Sequence, residues 1–269
     1  MWFRKPWAFL KRDLLESLSY RVPFLMDFFA ILANTLIFFF IAKLFGGGAS
    51  PYLGRYGGDY FPYVLIGIAL AGYQSTALHS SALGIHRELG NGTLEAILLT
   101  PTRLSTVMIS SSLWNFLFTS LRVIAYLLVG VCVFHVDLSH ANFLAAALTL
   151  LLTMTSLSGL GIVSAGFILV FKKGDPIGQL MSGASRLLAG VYFPIDLLPR
   201  WSHRISFLIP LSHSLEAMRR AVLNGEGILL LRSELTFLLG LSTLLFPISL
   251  LFFGWAAQRA KKEGSLASY

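Results

Sequence analysis

The sequence predicts an all-α membrane protein with six transmembrane helices, and three observations support this fold class. Hydrophobic residues make up 55% of the 269 residues and charged residues only 13%, about half of the roughly 25% in a soluble domain. Several uncharged stretches reach the ~20 residues that a membrane helix needs. Lys and Arg lie mostly between these stretches, as membrane topology requires. This pattern excludes a soluble globular protein, a disordered chain and a disulfide-stabilised scaffold.

The predicted elements form one transmembrane domain over residues 1–269. Residues 1–21 are predicted to form a basic amphipathic helix, because apolar residues recur there at intervals of three or four, a pattern typical of helices at a membrane interface. The six spans are predicted at residues 24–45, 62–84, 104–134, 141–171, 177–194 and 235–256. With a cytoplasmic N-terminus, the cytoplasmic segments contain about twice as many Lys and Arg residues as the external ones. The positive-inside rule therefore predicts that both termini are cytoplasmic.

The connection between the second and third spans contains a predicted short helix at residues 91–101. Glycines at positions 90 and 92 interrupt the preceding helix, and Pro101 prevents continuation of the new one, since residues before proline avoid the helical region. Its apolar face consists of Leu94, Ile97 and Leu98. The pattern alone leaves two interpretations open, a connector on the membrane surface and a docking element for a partner.

The connection between the fifth and sixth spans, residues 195–225, contains two predicted helices too short to cross a membrane. One apolar stripe consists of Leu197, Leu198, Trp201, Ile205 and Leu208, and a second of Leu215, Met218, Val222 and Leu223. We expect two half-inserted or interfacial helices on the outer side. The charged residues Arg200, Arg204, Glu216, Arg219 and Arg220 are expected to face water or lipid headgroups.

Both connections carry motifs that resemble those of the permease subunits of type-2 ATP-binding-cassette (ABC) exporters. The first motif reads E…GTLE…L…TP and consists of Glu88, Gly92, Thr93, Leu94, Glu95, Leu98, Thr100 and Pro101. The second consists of Gly190, Tyr192, Phe193, Pro194, Leu198, Pro199, Trp201, Ile205, Pro210, Glu216, Ala217, Arg219 and Gly225. The resemblance extends over the whole chain, with the two motifs in the family's order.

The resemblance implies a role for each segment. Residues 91–101, including Ile97, are similar to the coupling helix that docks into the ATPase subunit, and residues 195–225 to the re-entrant outer helices that close the exit. The implied partners are an ABC ATPase, a second permease copy in a homodimer and membrane lipid, with no nucleic acid. The implied location is a bacterial cytoplasmic membrane, and the implied mechanism is alternating access.

The sequence contains no G-x-x-x-x-G-K-[ST] phosphate loop and no H-E-x-x-H metal motif. We therefore expect the chain to be no enzyme and to bind no cofactor, with ATP and Mg²⁺ held by the partner ATPase. Its single cysteine, Cys132, is expected to be a small buried apolar residue.

Two arginines within the predicted spans, Arg122 and Arg186, are candidates for the transport pathway, because charges at membrane depth are often functional. They either face the transport cavity and meet an anionic headgroup or phosphate, or they pair with a polar neighbour or a carbonyl group, or their side chains extend toward a membrane interface. The 22 Phe residues outnumber 9 Tyr and 5 Trp, which favours an amphipathic or lipid-like substrate over a lipid-linked glycan. An ion-coupled carrier is a weaker alternative, since Asp27 is the sole acid well inside a span.

Overall fold

A computed structural model describes residues 21–44, 51–90, 104–171 and 176–262 of the chain. Within these ranges all regular structure is helical. The predicted amphipathic helix at residues 1–21, apart from Arg21, and the predicted coupling helix at residues 91–101 lie outside the described residues.

The described ranges contain eight α-helices and two short 3-10 helices. The α-helices are α1 (Arg21–Leu44), α2 (Tyr60–Gly90), α3 (Leu104–Cys132), α4 (Phe143–Phe171), α5 (Pro176–Leu188), α6 (Arg200–Leu208), α7 (Pro210–Leu223) and α8 (Arg232–Lys262). The 3-10 helices are Pro51–Tyr56 and Ile195–Leu197.

Five of these helices, α1, α2, α3, α4 and α8, are long and apolar enough to cross a membrane. The predicted all-helical, multi-pass membrane class is therefore confirmed. The sixth predicted span, at residues 177–194, is not confirmed as a span. Helix α5 has 13 residues, which correspond to about 20 Å of helix, less than the ~30 Å hydrocarbon core of a bilayer.

The main hydrophobic core forms around α7, which packs against α2, α4 and α8. The predicted apolar stripe of α7 faces this core, because Leu215, Met218 and Val222 are buried there. The same core contains the N-terminal parts of α2, α4 and α8 and the segment that follows α5. These segments therefore meet at one end of the helical bundle, which we call the α7 end.

Helix α1 packs less closely than the other long helices. It contacts α2 and α3, yet large apolar side chains such as Met26, Phe29 and Phe40 are exposed along it. Cys132, at the end of α3, is exposed and not buried as predicted, because the described residues leave this end of α3 uncovered, with Val131 and Val133 exposed as well. In a membrane protein such surfaces face lipid or another subunit.

Candidate functional site

The most elaborate polar site of the described residues surrounds Arg219 on α7. Only 2% of this residue is accessible to solvent. Its Nε donates to the carbonyl oxygen of Tyr63 (3.2 Å), and Nη2 donates to those of Gly190 (3.0 Å) and Val191 (3.2 Å). The guanidinium carbon lies 3.4 Å from the centroid of the Tyr63 ring, and this cation–π contact further compensates the buried charge.

Two glycines make this arrangement possible. Gly190 has a φ of +79°, a left-handed conformation that glycine adopts without steric cost. It follows α5 and turns the chain so that the carbonyl groups of residues 190 and 191 point at Arg219. Gly67, on α2, faces the carbonyl group of Val191, and a Cβ there would overlap the Val191 oxygen and lie 2.9 Å from Arg219 Nη2.

Tyr56 and Glu216 extend the site towards the first 3-10 helix. The Tyr56 hydroxyl donates a hydrogen bond to Glu216 Oε2, and the Tyr56 ring lies 5.2 Å from that of Tyr63 between centroids. Burial, together with the negative charge of Glu216, raises the pKa of Tyr56 above its ordinary value. The phenol therefore stays protonated and remains the donor to the carboxylate.

We call Tyr56, Tyr63, Gly190, Glu216 and Arg219 the Arg219 cluster. The prediction that Arg219 faces water or headgroups is wrong, because the side chain points into the core and binds backbone carbonyl groups. The cluster joins α2, the segment after α5, α7 and the first 3-10 helix. It is suited to holding these four segments in fixed positions relative to one another.

The other predicted residues of the outer segment occupy several different positions. Pro199 and Pro210 lie at the starts of α6 and α7. Proline, which lacks a backbone N–H, is tolerated there because an N–H at the start of a helix would have no acceptor within the helix. Pro194 is buried before the second 3-10 helix, with Phe193 half-buried beside it.

Tyr192 stacks on Phe38 of α1, with 5.5 Å between ring centroids. Trp201, on α6, is exposed.

A pair of salt bridges lies at the C-terminal end of α7. Arg220 donates to Glu226 at 2.6 Å and to Glu234, on α8, at 3.0 Å. The Arg220 guanidinium lowers the pKa of the Glu226 carboxyl below its ordinary value. These pairs fix the turn between α7 and α8.

The structure places the two candidate pathway arginines in different surroundings. Arg122, on α3, forms an ion pair with Asp27 of α1 and lies over the Phe118 ring, 5.0 Å from its centroid. Arg186, on α5, is half-buried, and its buried Nε has no hydrogen-bond partner among the described residues.

The coupling residues of the first motif are not placed by the structure. Glu88 lies in the last turn of α2, whereas Gly92, Thr93, Leu94, Glu95, Ile97, Leu98 and Pro101 lie outside the described residues. The described ranges contain no group of three or more His, Cys, Asp or Glu residues arranged to hold a metal ion.

Sequence reasoning missed Tyr56, Tyr63 and Gly67 as partners of Arg219. Tyrosines are common near the ends of membrane spans, so Tyr56 and Tyr63 carried a weak signal. Gly67 carried none, because its contact with the segment after α5 depends on tertiary packing.

Comparison with known protein families identifies a match over residues 5–223 to the family described as ABC-2 type transporter. The matched range includes helices α1 to α7 and the segment at residues 91–101. The curated proteins contain no match to the chain.

Proposed function

The chain belongs to the ABC-2 type transporter family, and from this membership we propose that it is the permease subunit of an ATP-driven exporter. Family membership makes the chain the membrane-spanning component of an ABC transporter and implies an ABC ATPase as its partner. The observation that carries the proposal is the match over residues 5–223 of a chain with five membrane-length helices.

We propose α5 as part of a sixth span. Ala145, near the start of α4, and Val191, after α5, belong to the same core at the α7 end. Helix α4 extends to Phe171, about 40 Å further along its axis at 1.5 Å per residue. The chain therefore returns across most of the bundle between residues 171 and 191. This path supports an even number of crossings, which places both termini on the same side of the membrane. We propose the cytoplasmic side, from the distribution of Lys and Arg, and a bacterial inner membrane.

The ATPase contact is proposed at residues 91–101, with Leu94, Ile97 and Leu98 as its apolar face. ATP and Mg²⁺ are then bound by the ATPase subunit. Helix α2 leads from the Arg219 cluster at one end to Glu88 and this segment at the other. Movement of the ATPase is thereby transmitted along α2, as alternating access requires.

At the opposite end, the segment over residues 195–225 is proposed to close the exit. The Arg219 cluster supports this role, because it holds α7 to α2 and to the chain after α5 through three carbonyl contacts. A second permease copy and lipid are proposed to cover the exposed apolar side chains of α1.

An amphipathic or lipid-like substrate is proposed, with a lipid-linked glycan as the second candidate. The buried Nε of both arginines has no partner among the described residues. Arg186 is nevertheless the better placed of the two to meet an anionic group, because Arg122 pairs with Asp27 through Nη2, whereas no ion pair of Arg186 occurs in the described part of the chain.

The test is ATP hydrolysis by the purified chain alone and after co-expression with its partner ABC ATPase. We expect background hydrolysis from the chain alone and substrate-stimulated hydrolysis from the complex in proteoliposomes. Hydrolysis by the isolated chain at the rate of the complex, or failure of the two chains to co-purify, would contradict the proposal.

A further inference from the structure

Helix α6 has an unusual distribution of side chains. Its exposed arc contains Trp201, Ile205, Phe207 and Leu208 together with Arg200 and Arg204. Trp201 is 67% and Leu208 70% exposed. A helix on the surface of a water-soluble domain would instead bury these apolar side chains.

The buried side of α6 consists of small polar residues. Ser202 and Ser206 are almost inaccessible, and their hydroxyl groups donate to the carbonyl oxygens of Pro199 (2.8 Å) and Ser202 (3.0 Å). These hydroxyl groups find their acceptors within the helix itself. This side of α6 therefore packs against α5 and α7 without leaving a buried hydroxyl group unpaired. The side of α6 that faces away from the protein is therefore the apolar one.

Arg200 and Arg204 are one helical turn apart, so they lie side by side on the exposed arc between Phe207 and Leu208. Neither forms an ion pair with a carboxylate in the described part of the chain. The exposed arc itself contains no acidic residue; the exposed Asp196 precedes the helix by one turn. Two cations flanked by large apolar side chains are typical of a helix at the level of lipid headgroups.

We propose that the exposed arc of α6 binds anionic phospholipid headgroups of the bilayer that the chain crosses. The two guanidinium groups bind the phosphate oxygens, while Trp201, Ile205 and Leu208 enter the acyl boundary. A twofold contact between copies centred on this arc is disfavoured, because it would place the arginines of the two copies against each other. This inference requires only a membrane-spanning chain and does not depend on ATP-driven transport.

The test measures which lipid lies next to α6. A bimane probe is attached at position 208 of a Cys132→Ser, Leu208→Cys protein, since the natural chain has one cysteine. The protein is reconstituted into nanodiscs that contain brominated phosphatidylglycerol or brominated phosphatidylcholine at equal mole fraction. We expect both lipids to quench the probe, with a local enrichment of the anionic lipid of roughly fivefold for each arginine that contacts it.

Arg200→Gln with Arg204→Gln should make the two lipids equally effective quenchers. Arg55→Gln with Arg232→Gln is the matched control, because it removes two exposed charges at the same α7 end, and it should preserve the preference. Raising the salt concentration should weaken the preference in the protein that retains both arginines. Equal quenching by the two lipids in that protein would overturn the anionic selectivity, and no quenching by either would show that protein or water covers α6.

Discussion

The guanidinium of Arg219 and the ring of Tyr63 lie 3.4 Å apart, measured from guanidinium carbon to ring centroid, and Arg219 also binds the Tyr63 carbonyl oxygen. The two residues belong to α7 and α2, which are separated by more than 150 positions in the sequence. This contact couples the proposed exit segment to the helix that leads towards the proposed ATPase contact.

Arg219→Met should destabilise the protein. The substitution retains most of the side-chain volume but removes three hydrogen bonds to carbonyl oxygens. The Gly190 oxygen is still bound by the Tyr63 hydroxyl (2.9 Å), and the Tyr63 oxygen accepts an N–H within α2, so the Val191 oxygen is the acceptor left unpaired. Leaving a buried acceptor unpaired costs about 1–3 kcal/mol. Thermal unfolding in detergent, followed by size-exclusion chromatography, should show a lower Tm. Arg200→Met is the control and should leave Tm unchanged; equal Tm values for both variants would contradict the role of Arg219.

Gly67→Ala and Gly72→Ala form a matched pair on α2. The new Cβ at position 67 would overlap the Val191 oxygen, whereas no neighbouring atom lies within 4 Å of the Cβ that alanine would add at position 72. We expect Gly67→Ala to lower stability by about 1–3 kcal/mol and Gly72→Ala to be neutral or stabilising by up to ~1 kcal/mol, since alanine favours helix. Midpoints of denaturant unfolding measure both changes. The reverse order of stability would show that α2 and the segment after α5 do not meet as described.

The burial of Arg219 shows where sequence reasoning succeeded and where it failed. Leu215, Met218 and Val222 were recognised as an apolar stripe, and Arg219 lies at a position of that stripe, four residues after Leu215 and three before Val222. Its charge led to the expectation of an exposed side chain. The acceptors that compensate this charge come from Tyr63, Gly190 and Val191, and no local pattern brings these residues together.

The fold itself was largely predictable, because long apolar runs determine membrane helices almost independently of their neighbours. Helix α5 was harder to assign, since Pro176 and Gly190 limit it to 13 residues. The ion pair of Arg122 with Asp27 also depends on how α1 and α3 pack, which hydrophobic periodicity does not specify.

Arg186→Gln and Arg122→Gln should have different consequences. Arg186 forms no ion pair in the described part of the chain, so its substitution should lower transport while leaving the yield and Tm of the protein unchanged. Arg122→Gln should lower Tm, because it leaves Asp27 without its ion-pair partner. Adding Asp27→Asn should recover part of that loss, with a coupling of roughly 0.5 kcal/mol or more. Equal losses of transport and Tm in both single variants would contradict this division of roles.

The ion pair between Arg220 and Glu226 should make stability depend on pH. The pKa of Glu226 is lowered in the folded protein relative to ~4.3 for a free glutamate. The pair therefore stabilises fully above about pH 5, and this stabilisation is lost as the pH falls through the lowered pKa. The Tm difference between the natural protein and Glu226→Gln should be constant near neutral pH and shrink below about pH 4. A Tm difference that grows as the pH falls would contradict the predicted loss of stabilisation on protonation of Glu226.

The most direct test of the account is whether residues 91–101 bind the ATPase subunit. Leu94→Ala with Leu98→Ala removes two apolar side chains whose full burial is worth ~1.5–3 kcal/mol each, so binding should weaken by at least about tenfold. Leu197→Ala with Leu208→Ala is the control, since it removes two exposed leucines near the α7 end. The measurement is pull-down of the co-expressed ATPase by each detergent-purified variant with a normal size-exclusion profile. The account predicts that the first variant loses the ATPase and the second retains it, whereas full retention by the first variant would contradict the proposed coupling segment.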